Sequence, residues 1–529
     1  MNEMILVVCF AILGLSSPAL GDAPEVTISQ GKMVGETLLS RDGREYSSFQ
    51  SIPFAEPPVD GLRFMAPLPA KSWDGVLNAS VPSPPCYQKP FLMSQTGMQG
   101  QEDCLYLNVF SPNLKGSYPV MIYIHGGAYE YGWPGRPLKE QYFMDEDVVL
   151  VTVAYRLGHL GFMSFEDDVI PGNYGIKDQV LAVEWVKKEI KNFGGNPDLL
   201  TVFGISAGAA SSHYLCSIQK TQGLLKGCIS HSGVAGAIWS LHTPGDAKKM
   251  AVDIAKKVGC DKYSGSELLT CLQAQPIDSF IPTSDVQHIT DLPIPVLEKP
   301  SNSAVITQWP TGYSDFPWIA GIMANEGLLI TEYIKAFATP LEKMGFYVGG
   351  NLLVSKALHL KGNVIEKLFK ITERFFEWKD LFDLLADFER FFTEGFFEYP
   401  ILKEMMRHNG PKYLYRFQYT GGPSLWEEIS NKKLNIDGVC HGDDAPYFFD
   451  LTNYYTPEGW PTQKDVELSK KLVKAWVHFA KYQVPKTEEL EWEPLGDYAS
   501  YLHITNDGIQ MENFTNYKDI LDFWNGILA

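Results

Sequence analysis

Positive charge is what this 529-residue chain has least of: 44 Lys and Arg stand against 63 Asp and Glu, a formal net charge of −19. Such a chain repels phosphate backbones and anionic lipid, and no cluster of Lys and Arg offsets the excess, which argues against nucleic acid as a partner. Cysteine is scarce too, with eight residues, and no His/Cys grouping has metal-ligand spacing. No Gly-rich phosphate loop with its lysine is present. Neither a metal nor an organic cofactor is therefore expected. Repeats, low-complexity tracts and linkers are missing from Asp22 to Ala529, so nothing marks a domain boundary and one domain with insertions is the simplest reading.

Long apolar runs are nearly absent as well. Met4 to Leu15 is one, but it falls short of the roughly 20 residues that span a bilayer. The small residues Ala19 and Gly21 follow at the spacing signal peptidase favours, which predicts a signal peptide at 1–21 and a mature, exported chain at 22–529. The carboxyl end is neither a lipid-anchor signal nor a retention tag. Export makes the sequons at Asn78 and Asn513 glycosylation candidates. It also leaves seven cysteines once Cys9 is removed, an odd number. Cys86 with Cys104 and Cys260 with Cys271 are the close pairs, while Cys216, Cys228 and Cys440 sit in apolar or motif contexts that predict buried, inert thiols.

What the chain does have is a globular composition, 45% hydrophobic and 20% charged, which excludes a mostly disordered protein. Val120 to Ile124 and Val148 to Ala154 read as buried strands, and Leu200 to Gly204 as a third. Between them Ile176, Val180, Val183, Val186 and Ile190 recur at helical spacing, and Gly194-Gly195-Asn196-Pro197 stops that helix. Strands separated by helices predict parallel β-α-β units, with functional groups beyond the strand ends. Phe369 to Tyr399, rich in aromatics at helical spacing, reads as a core-packing helical insertion that doubles as an apolar wall.

The chemistry-bearing motif is Gly204-Ile205-Ser206-Ala207-Gly208, preceded by a strand and followed by a helix-forming run. This is the context of a nucleophile elbow, where flanking glycines let the serine stand on a strained turn. His125-Gly126-Gly127-Ala128 follows the first strand, where small residues let backbone amides approach an oxyanion.

Together with Glu102-Asp103-Cys104-Leu105-Tyr106-Leu107-Asn108, these motifs resemble type-B carboxylesterases, the cholinesterase relatives. Leu62-Arg63-Phe64, Tyr155-Arg156-Leu157-Gly158, Gly172-Asn173-Tyr174-Gly175 and Asn192-Phe193-Gly194-Gly195 extend the resemblance from about Val26 to the carboxyl end, and the overall texture looks most like insect carboxylesterases. The resemblance implies an α/β-hydrolase fold, a central mostly parallel sheet flanked by helices with helical insertions. It implies oxyanion amides at Gly127, Ala128 and Ala207, disulfides Cys86–Cys104 and Cys260–Cys271, and an Arg63–Glu102 ion pair.

A serine hydroxyl needs a base, and the base an acid that fixes its tautomer. In this fold the acid follows the serine and the histidine comes last. Gly438-Val439-Cys440-His441-Gly442-Asp443 matches the family's histidine loop, and Ala324-Asn325-Glu326-Gly327 its strand-end acid. Ser206, His441 and Glu326 are accordingly expected as nucleophile, base and acid. Asp443 and Asp444 are expected to be solvated loop carboxylates, Ser232 resembles the family's serine near the acid, and His125 is expected to support the oxyanion loop.

The expected substrate is an apolar carboxylic ester. Choline esters are disfavoured, since no tryptophan lies between Cys86 and Cys104 to hold a quaternary ammonium. Ile205 replaces the glutamate of cholinesterases and the glutamine typical of juvenile hormone esterases, which weakens both of those assignments without excluding hormone-like or pheromone esters. Alternatives outside catalysis are a scavenger that acylates once and a neuroligin-like adhesion protein. The latter lacks the serine and carries a membrane span, opposite to the pattern here.

Overall fold

The computed structural model describes residues 23–528, apart from 90–97, 135–138, 282–291, 310–314, 332–353, 355–357, 377–380, 425–437 and 452–458. The proposed signal peptide lies outside the described residues.

Fourteen strands are described. β1 (Glu25–Ile28), β2 (Gly31–Val34) and β5 (Val76–Asn78) form a small sheet. The other eleven are β3 (Glu36–Leu39), β4 (Glu45–Pro53), β6 (Tyr106–Ser111), β7 (Tyr118–Ile124), β8 (Val149–Val153), β9 (Gly195–Ile205), β10 (Gly227–His231), β11 (Trp318–Met323), β12 (Lys412–Phe417), β13 (Ser500–Thr505) and β14 (Gly508–Asn513). They build one sheet in the order β14-β13-β12-β11-β10-β9-β7-β8-β6-β4-β3. From β13 through β8 every neighbouring pair is parallel, and the antiparallel pairings are confined to the two flanks.

The central strands are apolar on both faces because helices cover both. Val120, Ile122 and Ile124 of β7 point into one core together with Ile176, Val180, Val183 and Val186 of the helix Tyr174–Glu189. Met121 and Tyr123 alternate into the opposite core, where Leu472, Val473, Trp476 and Phe479 of the helix Gln463–Tyr482 meet them. A continuous apolar run, its side chains pointing alternately to the two faces, is what a strand buried on both sides demands. The fold is the expected α/β hydrolase.

The aromatic insertion forms the helices Val364–Phe375 and Leu381–Phe392, a π-helical turn Thr393–Glu398 and the helix Tyr399–Arg407. Phe375, Phe388, Phe391 and Phe396 are buried in the first core, but Phe369 points to solvent. Both disulfides form, Cys86–Cys104 and Cys260–Cys271. Cys228 and Cys440 are buried thiols and Cys216 is half-buried. Arg63 holds Glu102 through two contacts of 2.6 Å, a bidentate ion pair. Asn78 and Asn513 are both exposed.

Candidate active site

Four strand ends converge on the site. β9 delivers Ser206, β10 delivers His231 and Ser232, β11 leads into Glu326, and β7 leads into the glycine loop. Ser206 has φ 60° and ψ −123°, a backbone state that L-residues rarely adopt, and the helix Ala207–Ser217 starts directly after it. The turn is tight enough that a Cβ on Gly204 would come within 2.5 Å of Gly208, and one on Gly208 within 2.7 Å of the His125 carbonyl oxygen. These are the two glycines that the elbow motif requires, and the requirement is steric. Of residues 201–210, Ser206 alone is not buried, so the elbow turns the serine toward the surface.

The glycine loop packs against this turn. A Cβ on Gly126 would lie 2.5 Å from the Ile205 carbonyl oxygen and 3.2 Å from Cβ of Ser206. Gly127 and Ala128 both have positive φ, 107° and 52°, and the carbonyl of Gly127 accepts the amides of Glu130 and Tyr131 at 2.9 and 3.0 Å. The turn is thus closed on itself behind the amides of Gly127 and Ala128. His125 supports it from below. Its ring stacks on Tyr155 at 4.4 Å, its Nδ1 lies 2.9 Å from the Gly126 carbonyl, and burial lowers its pKa to about 4. An imidazole with so low a pKa is a weak base, and its contacts are with the backbone and ring of the loop's own surroundings.

His441 Nδ1 lies 2.6 Å from Oε2 of Glu326. Both side chains are buried, Glu326 completely. The other oxygen of Glu326 accepts the amide of Met323 at 2.8 Å, which turns the carboxylate toward the histidine. The two loops are laced together by backbone: the Asn325 amide donates to the Val439 carbonyl at 3.0 Å, and the Val439 amide to Oδ1 of Asn325 at 3.2 Å. The Phe397 ring sits 4.8 Å from the His441 ring and 5.7 Å from Trp239. Trp239 in turn donates its indole N–H to the Phe396 carbonyl at 2.9 Å. The aromatic insertion therefore does reach the histidine.

Asp443 and Asp444 differ from the sequence expectation. Neither is solvated: both are buried, Asp444 completely. Asp443 Oδ2 accepts the Cys440 amide and the Ser424 hydroxyl, both at 2.7 Å, and so caps the histidine turn. Asp444 Oδ2 accepts from Tyr415 at 2.7 Å and faces Nδ1 of His231 at 2.8 Å. A loop of polar residues gave no sign that it would be folded beneath the sheet end. Ser232 has φ 59°, donates its amide to the Gly321 carbonyl at 3.0 Å, and has a buried hydroxyl without a hydrogen-bond partner among the described residues. Among the described residues no group of His, Cys, Asp and Glu could hold a metal ion, and no helix is long and apolar enough to cross a membrane.

Known proteins are similar to this chain in sequence and in fold. The carboxylesterase family model matches residues 22–524. A carboxylic ester hydrolase of Bombus ignitus is 34% identical over 542 residues, covering 96% of this chain and 94% of that protein. The juvenile hormone esterase of Tribolium castaneum is 31% identical, covering 89% and 86%. The crystal structure of juvenile hormone esterase from Manduca sexta, with OTFP covalently attached, superposes with a TM-score of 0.85 at 25% identity, covering 96% of this chain and 99% of that one. The family match runs through each strand end that builds the site, so the chain belongs to the carboxylesterase family and is a carboxylic ester hydrolase.

Proposed function

We propose that this protein hydrolyses apolar carboxylic esters through an acyl-enzyme on Ser206, with His441 as general base and Glu326 as the acid that orients it. The observation that carries the reading is the buried Glu326–His441 contact of 2.6 Å, set at the same end of the sheet as a serine on a strained elbow. His441 takes the proton of Ser206 as the hydroxyl oxygen attacks the ester carbonyl. It returns that proton to the alcohol that leaves, then activates the water that hydrolyses the acyl-enzyme. Glu326 holds Nδ1–H toward itself and keeps Nε2 free to act. The amides of Gly127, Ala128 and Ala207 take up the charge on the carbonyl oxygen. The covalently attached OTFP in the Manduca sexta structure supports a covalent step. The rings of Phe397 and Trp239 beside His441 support an apolar acyl or alcohol group.

Within that class, the juvenile hormone esterases among the relatives make a hormone-like ester the first subclass to try, against which Ile205 stands as the departure. We also read the chain as exported, on the apolar run Met4 to Leu15, with Asn78 and Asn513 as its glycosylation sites.

The test is hydrolysis of 4-nitrophenyl and 1-naphthyl esters from acetate to long acyl chains by wild type and Ser206→Ala. Sustained turnover that falls by about 10³-fold or more in the variant is expected. Undiminished turnover in Ser206→Ala would overturn the mechanism. A single burst without turnover would replace the hydrolase by a scavenger.

A further inference from the structure

A second histidine–carboxylate pair lies behind the first. His231 closes β10, in register with Ile205 of β9 on one side and Gly321 of β11 on the other. Its carbonyl accepts the backbone amide of Ser206 at 2.8 Å, so this residue directly holds the nucleophile's main chain. Its imidazole is 1% exposed. Nε2 accepts the indole N–H of Trp476 at 3.0 Å. An indole nitrogen can only donate, so the proton of His231 resides on Nδ1. That N–H points at Oδ2 of Asp444, 2.8 Å away, and the Tyr415 hydroxyl donates to the same oxygen at 2.7 Å. Phe448 stands edge-on to the ring at 5.0 Å, and the Tyr415 hydroxyl lies 2.9 Å from Nδ1.

With both nitrogens engaged, this pair cannot exchange protons with a substrate. Stability does not account for its presence, because a buried hydrogen-bonded polar pair adds little over apolar packing of the same shape. Oδ1 of Asp444 lacks a hydrogen-bond partner among the described residues, a further cost of burying this carboxylate. Its connectivity is what distinguishes it. Asp444 lies three residues beyond His441 in one run of tight turns, fixed by the Asp443 amide on the Cys440 carbonyl and the Ala445 amide on the Gly442 carbonyl, both at 3.0 Å. One imidazole thus joins the strand that holds Ser206 to the turn that holds His441.

We propose that His231 and Asp444 are positioning residues for the hydrolysis, setting the spacing between nucleophile and base. The inference rests on the Ser206–His441 reading above. Trp476 fixes the tautomer that makes the link, and Tyr415 donates to the same carboxylate oxygen that faces His231.

The test compares full-length wild type, His231→Leu, His231→Gln, Trp476→Phe and Ser206→Ala in steady-state hydrolysis of 4-nitrophenyl butyrate, with thermal unfolding as the check on folding. His231→Leu is expected to lower kcat by about 10- to 100-fold, the scale of a misplacement of about 1 Å, with KM changed less than about twofold. His231→Gln, whose amide can donate to Asp444 and accept from Trp476, is expected to recover most of the loss. A folded His231→Leu with wild-type kcat, a loss confined to KM, or a His231→Gln as impaired as His231→Leu would each overturn the proposal. If His231→Leu does not fold, Trp476→Phe decides. A kcat reduced about threefold or more at constant KM supports the link, and an unchanged kcat sinks it. Full activity in Ser206→Ala would remove the reading beneath the inference. An inactive Ser206→Ala beside an undiminished His231→Leu removes the inference alone.

Discussion

His441 and Glu326 meet through a single contact, Nδ1 to Oε2 at 2.6 Å, while the remaining oxygen of Glu326 is occupied by the Met323 amide at 2.8 Å. The carboxylate is fully buried, and in the proposed mechanism it holds the proton of His441 on Nδ1. Glu326→Gln presents either an amide N–H or a carbonyl to Nδ1, and the amide N–H forces the wrong tautomer. We expect kcat/KM to fall by about 10³- to 10⁴-fold in this near-isosteric variant. Steady-state hydrolysis of a 4-nitrophenyl ester measures it. A loss below tenfold would assign the orienting role to another group.

Gly127 and Ala128 carry the same proposed role but should respond in opposite ways to a single methyl group. At Gly127, φ is 107° and an added Cβ would lie 1.9 Å from the Tyr131 carbonyl oxygen. Gly127→Ala must therefore push the loop out of place, and kcat should drop by about 100-fold, the scale of losing one oxyanion donor. At Ala128 the backbone already sits at φ 52°, a state glycine adopts without strain, so Ala128→Gly should keep kcat within about threefold of wild type. Equal losses in the two variants would argue against a steric origin.

Phe397 owes its place to the π-helical turn Thr393–Glu398, which rotates the chain relative to an α-helix and sets the ring against His441 and Trp239. If that ring lines the acyl site, Phe397→Ala should lower kcat/KM for a hexanoate relative to an acetate by about tenfold, the value of one to two methylene contacts. A chain-length profile measured with 4-nitrophenyl esters tests this. An unchanged ratio would place the acyl chain elsewhere.

The parts of the fold and site that were legible in the sequence are those written locally. β7, β8 and β9 announce themselves as apolar runs because both faces are covered, and Gly204 and Gly208 because the elbow tolerates no Cβ. Glu326 and His441 lie 115 positions apart and were reached only through chain order and resemblance. The His231 link could not be read, because Asp444 and Trp476 are 213 and 245 residues away from His231 and no periodicity connects them. The error at Asp443 and Asp444 has the same origin. Polar loops are usually solvated, and this one is buried by partners distant in sequence, with Tyr415 and His231 on Asp444 and Ser424 on Asp443. The π turn escaped as well, since one residue of extra winding leaves the apolar spacing of Phe369 to Tyr399 nearly unchanged.

Glu404 offers a test of burial energetics away from the proposed chemistry. It lies on the helix Tyr399–Arg407, packed so closely that a Cβ on Gly236 would stand 2.5 Å from its Oε1, and its Oε2 has no hydrogen-bond partner among the described residues. Burial raises its pKa to about 7, against the opposing pull of Arg407 and Lys403. An acid raised in this way binds its proton more tightly folded than unfolded. Folding is therefore favoured on the acid side, and stability is lost as pH rises from the ordinary carboxyl value of 4.5 through about 7. Glu404→Gln removes the titration while keeping the shape. Its thermal midpoint should exceed that of wild type by about 3 °C at pH 8 and by about 1 °C or less at pH 5. Midpoints recorded by calorimetry at the two pH values decide the matter. A gain of the same size at both would mean that the glutamine is simply better packed, and that folding does not shift the titration of Glu404.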